Sequence, residues 1–123
     1  SGVRLLYKAL RRGEAIGVLP DQAPGVGEGE WADFFGRPAY TMTLITRLQA
    51  VADATVIMAV SERLPSGRGY QLRFEVIQRD PLSPTALNGV VEQVVRRCPG
   101  QYLWGYNRYK VPAGAGRSVQ SAK

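Results

Sequence analysis

Four carboxylates lie close together near the start of an otherwise basic chain. Asp21, Glu28, Glu30 and Asp33 are four of its ten acidic residues, no Lys or Arg lies among them, and the chain has a formal net charge of +6. A calcium loop needs ligands at fixed positions that end in a bidentate glutamate, and this spacing does not provide them. The Gly-rich GVGEG stretch leads into more loop, and its glutamates would repel a phosphate. For Glu28 and Glu30 we therefore expect a solvated loop.

Asp21 stands apart because it follows the apolar run AIGVL at residues 15–19 almost directly. In open α/β sheets, ligands bind at the carboxyl ends of the strands, so Asp21 is a candidate binding residue. Phe34 and Phe35 could pack in the core, anchor the loop or line an apolar slot, and composition does not separate these roles.

The chain contains no histidine and one cysteine. A histidine general base, a histidine metal ligand and a Ser-His-Asp triad are therefore excluded within these residues. Cys98 cannot form an intrachain disulfide, and a buried reduced thiol is the favoured interpretation. The longest apolar stretch, residues 54–60, is much shorter than the roughly 20 residues that a membrane-spanning helix needs.

The C-terminal part is basic and aromatic. No Asp or Glu follows Gln93, whereas six cations do, interleaved with four aromatic residues: Arg96, Arg97, Arg108, Lys110, Arg117, Lys123, Tyr102, Trp104, Tyr106 and Tyr109. This pattern fits an anionic partner such as nucleic acid, an acidic protein or phosphorylated lipid headgroups. It fits an amphipathic last strand with a solvated basic face equally well.

The elements that must position these residues follow from hydrophobic periodicity. Ser83, followed by Pro84, is a strong N-cap signal for the last helix, and Thr41 is predicted to cap the second helix. The pattern predicts three helices, three strands and one long loop: helices at 3–14, 42–53 and from 84 onward, strands at 15–19, 54–61 and 70–77, and a loop at 20–40.

The order strand, helix, strand predicts a right-handed crossover and a parallel strand pair, to which the last strand adds antiparallel pairing. The fold class is therefore α/β, a layered sheet of mixed parallel and antiparallel strands with flanking helices. A sheet this small normally continues at its edge, so we expect the chain to be half of a domain. Self-association through the exposed sheet edge stays open.

Several short motifs resemble the lipid A biosynthesis lauroyl/myristoyl acyltransferases, relatives of the glycerolipid acyltransferases. In order and spacing the matching segments are Pro20-Asp21-Gln22, Phe34-Phe35-Gly36-Arg37-Pro38-Ala39 with Thr41, a strand ending in Arg63, and Gln101-Tyr102-Leu103-Trp104 with Arg108 and Lys110. The resemblance covers roughly residues 3–112. It implies a domain at 1–112 that is the C-terminal part of such an enzyme, and a flexible tail at 113–123.

The resemblance implies transfer of a fatty acyl chain from acyl carrier protein to a hydroxyl of a lipid A precursor. The enzyme would act on the cytoplasmic face of the inner membrane, without a cofactor, metal or nucleic acid. The family's catalytic histidine, with an acidic residue about five positions on, lies upstream of the matching segment. Since this chain has no histidine, we expect it to be a soluble fragment that is inactive alone.

The resemblance also implies roles for six residues. Asp21 and Gln22 match the block in which relatives carry Pro-Glu-Gly and contact the acceptor. Arg63 would contact a phosphate or carboxylate, Phe34 and Phe35 would border the acyl slot, and Arg108 belongs to the terminal motif among the substrate-binding residues. One departure is that relatives often carry prolines in the strand where this chain has Thr55 and Met58.

Two other classes of function stay open. The aromatic, basic C-terminal segment could make the chain a small nucleic-acid-binding module, whose affinity would depend sharply on salt. The chain could also be a non-catalytic adaptor that binds anionic membranes peripherally.

Overall fold

Two β-hairpins and three α-helices make up the computed structural model, which describes residues 2–79 and 81–116. The helices are α1 (Gly2–Arg11), α2 (Leu44–Ala52) and α3 (Pro84–Arg97). The strands are β1 (Gly29–Phe34), β2 (Arg37–Met42), β3 (Ile57–Arg63) and β4 (Tyr70–Val76). Helices alternate with β-hairpins along the chain, so the described part is mixed α/β, consistent with the predicted class.

The first hairpin, β1–β2, lies where a long loop was predicted, and that prediction is wrong. Trp31 pairs with Tyr40 and Phe34 with Arg37, so the connection is the two-residue turn Phe35-Gly36. Both turn residues have a positive φ, 49° and 72°, as a type I′ hairpin turn requires. Pro38, within β2, is tolerated because β2 pairs on one side only among the described residues.

The predicted strand at residues 15–19 does not form, and with it the predicted parallel pair is wrong. In the described part of the chain, β3 pairs antiparallel with β4, and no other strand joins that sheet. The apolar run at 15–19 therefore has no ladder partner, and Leu19 is largely exposed. Continuous apolar character alone does not make a strand, because the backbone also needs a neighbour to pair with.

The second hairpin and the third helix agree with the predictions. β3 and β4 pair from Ile57↔Val76 to Arg63↔Tyr70. Ser83 caps α3, because its Oγ accepts a hydrogen bond from the Ala86 N–H at 3.1 Å. Thr41 does not cap α2 as expected. It lies in β2, where it is buried, and Thr43 precedes the helix instead.

The core lies between the first hairpin and α3, which contacts both β1 and β2. Phe34, Ala39, Val91 and Val95 form its buried centre, and four half-buried residues pack against that centre: Phe35, Met58, Tyr102 and Tyr109. Met58 connects the second hairpin to the core, and the two tyrosines connect the C-terminal segment. The free Cys98 is half-buried, not fully buried as predicted.

The Gly-rich run before β1 is held against Tyr40. The Tyr40 hydroxyl accepts hydrogen bonds from the Gly27 and Gly29 N–H groups at 3.2 and 3.3 Å. A Cβ at Gly29 would lie 2.6 Å from Pro24 Cγ and 2.8 Å from the Thr41 carbonyl oxygen. Glycine at position 29 is therefore required by close packing.

The C-terminal end of the described chain is attached to the first hairpin. Trp31 Nε1 donates to the Gly116 carbonyl at 2.7 Å. Residues 117–123, most of the predicted tail, lie outside the described residues. Among the described residues, no helix is long and apolar enough to cross a membrane.

Candidate functional site

Arg108 lies at the centre of a buried polar network and is only 3% exposed. Its Nη1 donates to the Tyr40 carbonyl at 2.9 Å, and its Nη2 donates to Thr41 Oγ1 at 2.8 Å and to Asn88 Oδ1 at 3.0 Å. The guanidinium also lies 5.4 Å from the centre of the Phe34 ring. Arg108 thus joins the C-terminal segment to β2 and α3.

Asn88 completes this network from α3. Its Nδ2 donates to Thr41 Oγ1 at 2.9 Å and to the Asp33 carbonyl at 3.1 Å. Thr41 in turn donates to the Ala39 carbonyl at 3.0 Å. Within the described part of the chain, every buried side-chain nitrogen and oxygen has a hydrogen-bond partner. A fully satisfied network of this kind fixes one arrangement of the surrounding elements.

Asp21 lies close enough to this network for its charge to act on it. Burial, followed by the Asp21 carboxylate, raises the pKa of Tyr102. Burial lowers the pKa of Arg108, and Tyr102, Tyr106 and Asp21 oppose that change. The Tyr106 hydroxyl accepts a hydrogen bond from the Ala23 N–H at 2.9 Å, which fixes the segment after Asp21 to the C-terminal segment.

An aromatic cluster lies beside the network. The Phe34 and Phe35 rings meet edge to face with centroids 4.7 Å apart, and Trp104 is 6.1 Å from Phe35 and 4.8 Å from Tyr102. Tyr109 donates its hydroxyl hydrogen to the Phe34 carbonyl at 2.6 Å. Phe34 is 1% exposed and serves as core, whereas Phe35 is half-buried and Trp104 is exposed.

Phe35 holds an uncommon backbone conformation at the edge of this cluster. Its φ of 49° lies in the left-handed region, which costs a residue with a Cβ about 1–2 kcal/mol. Two contacts hold it there: its N–H donates to Glu92 Oε1 at 2.7 Å, and the Arg96 guanidinium lies 4.9 Å from its ring centre. Asn or Gly would adopt this turn with less strain. What phenylalanine contributes at position 35 is therefore its aromatic ring.

Arg63 lies at the end of β3 with its side chain exposed. Its main chain is bracketed by the Gln101 amide, which donates to the Arg63 carbonyl at 3.0 Å and accepts from the Arg63 N–H at 2.8 Å. Gln101 and Tyr102 also line a cleft of about 180 Å³ between the second hairpin and α3. Asp21, Phe34 and Phe35 do not line that cleft.

The structure brings four of the six predicted site residues into one region: Asp21, Phe34, Phe35 and Arg108. Gln22 is exposed next to Asp21, and Arg63 is connected to the region through Gln101 and Tyr102. Asn88 was not predicted as a site residue, and Thr41 was predicted as a helix cap and not as a member of this network. Asn88 could have been recognised from the sequence because it lies beside Leu87 and before Val91 in an otherwise apolar helix stripe. A buried amide at such a position needs polar partners.

Residues 1–111 match the family model described as bacterial lipid A biosynthesis acyltransferase. The chain belongs to this family. The lipid A biosynthesis lauroyltransferase of Escherichia coli (strain K12) is 30% identical over 85% of this chain. The lipid A biosynthesis palmitoleoyltransferase of the same organism is 32% identical over 93% of this chain. A lipid A biosynthesis acyltransferase of Shigella flexneri is also 32% identical over 93%.

The chain spans about two fifths of the length of these relatives. It covers 37% of the E. coli lauroyltransferase and 40% of the palmitoleoyltransferase. Membership of the lipid A acyltransferase family, predicted from the short motifs, is thereby confirmed. The activity of a whole protein of this family is therefore a proposal for this chain.

Proposed function

We propose that this chain is the acceptor-side part of a longer enzyme that transfers a fatty acyl chain from acyl carrier protein to a hydroxyl of a lipid A precursor. The observation that carries the proposal is the family match over residues 1–111. The gathering of Asp21, Phe35 and Arg108 around the C-terminal tyrosines supports it. No cofactor or metal enters the proposed reaction.

Acyl transfer to a hydroxyl needs a general base that removes the hydroxyl proton as the oxygen attacks the acyl carbonyl carbon. The bond from that carbon to acyl carrier protein then breaks, and the base returns the proton to the departing group of the carrier. This chain has no histidine. We assign the base and its orienting acid to another part of the longer protein. Removing a general base typically costs about 10²–10⁴-fold in rate, so the 123-residue chain should be inactive alone.

In this proposal Asp21 positions the acceptor. Asp21 is half-buried and has the exposed Gln22 beside it, so its carboxylate and the Gln22 amide offer hydrogen-bond partners to acceptor hydroxyls. The hydrogen bond from the Ala23 N–H to Tyr106 holds this segment in place. A fixed carboxylate orients a hydroxyl better than a mobile one does, because less freedom is lost when the acceptor binds.

Arg108 has a supporting role. Its Nη1 and Nη2 atoms are occupied by protein acceptors, and burial encloses the side chain. We therefore propose that Arg108 is a positioning residue that fixes the tyrosine-bearing segment against β2. The exposed side chain of Arg63 is better suited to contact an acceptor phosphate directly.

The two phenylalanines also have different proposed roles, one as a buried support and one as a contact for substrate. Phe34 is enclosed and forms the floor of the aromatic cluster. Phe35 is half-buried beside it and can border an acyl chain. We place the longer enzyme on the cytoplasmic face of the inner membrane, where both proposed substrates can reach it.

A nucleic-acid-binding module is less well supported. Base stacking needs open ring faces, yet Tyr102 and Tyr109 pack against Phe34 in the core. The exposed Trp104 is the ring of this cluster that could take part.

The proposal is tested with the longer gene product that contains this chain. The purified protein is incubated with acyl carrier protein bearing a fatty acyl group and with a lipid A precursor, and the lipid is analysed by mass spectrometry. We expect a product heavier by one acyl group, and none when the 123-residue chain replaces the longer protein. Acyl transfer by the short chain alone, or none by the longer protein, would contradict the proposal.

A further inference from the structure

An exposed group of apolar and cationic residues lies at the outer edge of the aromatic cluster. We name it the Trp104 patch; it consists of Phe35, Arg96, Leu103 and Trp104. Leu103 is 71% exposed and Trp104 is 59% exposed. The centre of the Phe35 ring lies 6.1 Å from that of a Trp104 ring and 4.9 Å from the Arg96 guanidinium carbon. Two large apolar side chains are thus displayed next to a cation.

The only hydrogen-bonding group of the Trp104 side chain is already paired within the protein. Its Nε1 hydrogen is donated to the Pro99 carbonyl at 2.8 Å, within the same turn of chain. A tryptophan whose N–H is already paired can move into an apolar environment without losing a hydrogen bond to water. Leu103, its neighbour in sequence, is apolar throughout. The exposed surface of both residues can therefore leave water at little polar cost.

Cations predominate around the patch, although Glu92 accepts a hydrogen bond from the Phe35 N–H at 2.7 Å and Glu75 pairs with Arg97 at 3.4 Å. Arg96 and Arg97 end α3, Arg37 follows the Phe35-Gly36 turn, and Lys110 lies in the C-terminal segment. Arg37 extends over the Tyr109 ring, with its guanidinium carbon 4.3 Å from the ring centre. No acidic residue follows Gln93 in the sequence. Long cationic side chains of this kind keep their apolar stems on the protein and their charged heads in the headgroup layer.

The strained turn is a separate observation at the same place. Phe35 keeps a left-handed backbone conformation that Asn or Gly would adopt with less strain. Backbone strain of this kind is often found at functional sites. Here its consequence is to place an aromatic ring close to both Trp104 and Arg96.

We propose that the Trp104 patch docks on the surface of an anionic phospholipid bilayer. Leu103 and Trp104 would enter the boundary between headgroups and acyl chains, while Arg96, Arg37 and Lys110 would meet lipid phosphates. The choice of a bilayer rests on the proposed function, whose acceptor is a lipid. A soluble phosphate would match the cations but would leave Leu103 and Trp104 in water.

A second exposed apolar face provides the matched control. On the outer side of the β3–β4 hairpin, Ile57, Leu72, Phe74 and Val76 are all exposed. Nothing in the structure shows what covers that face. Phe74 is 69% exposed and Trp104 is 59% exposed, so alanine at either position removes a large exposed aromatic side chain and leaves the charge unchanged.

The test measures binding of the full 123-residue chain to vesicles. One set is phosphatidylcholine, and the other is an equimolar mixture of phosphatidylcholine and phosphatidylglycerol. The variants are Trp104→Ala and, as control, Phe74→Ala, each checked by circular dichroism for an unchanged fold. Both keep the net charge of +6, so general attraction of a basic chain to an anionic surface is the same for each.

We expect binding to the anionic vesicles only, and affinity about tenfold weaker for Trp104→Ala, because one large apolar side chain no longer leaves water. Phe74→Ala should bind like the unchanged chain. Equal losses in the two variants, or equal binding to both vesicle types, would overturn the proposal. So would preferential binding to a short RNA with the same loss on Trp104→Ala.

Fluorescence gives a second measurement that is independent of affinity and of acyl transfer. The chain has two tryptophans, so a Trp31→Phe variant leaves Trp104 as the only one. We expect its emission to shift to shorter wavelength and to be quenched by brominated lipid when anionic vesicles are added. Vesicle binding without any change in Trp104 emission would overturn the proposal.

Discussion

Arg108 Nη2 donates to Asn88 Oδ1 at 3.0 Å inside the core, and both side chains also contact Thr41 Oγ1. The two residues belong to the C-terminal segment and to α3, and Thr41 belongs to β2. One buried cation thus holds together three parts of the chain beside the Phe34 ring.

Replacing Arg108 by Met should destabilise the fold strongly. The substitution leaves Asn88 Oδ1 and the Tyr40 carbonyl without their donor, so we expect a loss of about 3 kcal/mol in the free energy of unfolding. Urea denaturation measures it. Arg96→Met is the control, an exposed arginine whose loss should cost less than about 1 kcal/mol. Similar losses in the two variants would show that the Arg108 network contributes little.

Gly29→Ala should destabilise the first hairpin, because the new methyl group would meet Pro24 and the Thr41 carbonyl at less than contact distance. We expect about 1–3 kcal/mol of lost stability.

Gly89→Ala is the matched control. Position 89 lies within α3, and outside the backbone of that helix no atom lies within 4 Å of the place that a methyl group would occupy. Alanine there should stabilise by about 0.5–1 kcal/mol. Thermal unfolding of both variants distinguishes packing from helix propensity; equal shifts of the same sign would contradict the prediction.

Adjacent phenylalanines should respond differently to substitution. Phe34→Ala empties a site that is 1% exposed and should cost about 3–5 kcal/mol. Phe35→Asn loses ring contacts but relieves the left-handed strain, so its net cost should be less than about 1 kcal/mol. Chemical denaturation compares them. A cost for Phe35→Asn as large as that for Phe34→Ala would assign Phe35 to the core and not to the surface.

Stability at high pH should depend on Tyr102. Burial, and then the Asp21 carboxylate, raises the pKa of Tyr102 in the folded chain, so the unfolded chain releases this proton at lower pH. The free energy of unfolding is therefore unaffected by this group below the unfolded value of about 10 and falls as the pH rises through the interval up to the folded pKa. Tyr102→Phe should decrease the slope of stability against pH in that interval. An unchanged slope, measured by urea denaturation, would show that Tyr102 does not cause the fall in stability at high pH.

The sequence predicted well where local chemistry determines structure. Ser83 and Pro84 marked the start of α3, and the alternation after Gly69 marked β4. The first hairpin was missed because its turn carries Phe35 where Asn or Gly is usual and its second strand carries Pro38. The run at 15–19 was misassigned because pairing depends on neighbours that a local pattern does not contain.

The candidate site was predictable in part. The motifs identified the family and singled out Asp21, Phe35 and Arg108. They did not show that Arg108 is buried with Asn88 and Thr41 as its partners, because a contact across 67 positions of sequence depends on packing. A positioning arginine and one that meets a ligand look alike in sequence, and only burial distinguishes them.

The assignment of Asp21 to the acceptor site is tested most directly by the Michaelis constant for the acceptor, measured in the longer protein with Asp21→Asn. Asp33→Asn is the matched control, since Asp33 is an exposed acid on β1. We expect Asp21→Asn to raise the acceptor KM about tenfold, as for loss of one charge-assisted hydrogen bond, with the acyl donor KM unchanged. Asp33→Asn should change neither constant. An unchanged acceptor KM in Asp21→Asn would contradict the assignment of this segment to the acceptor site.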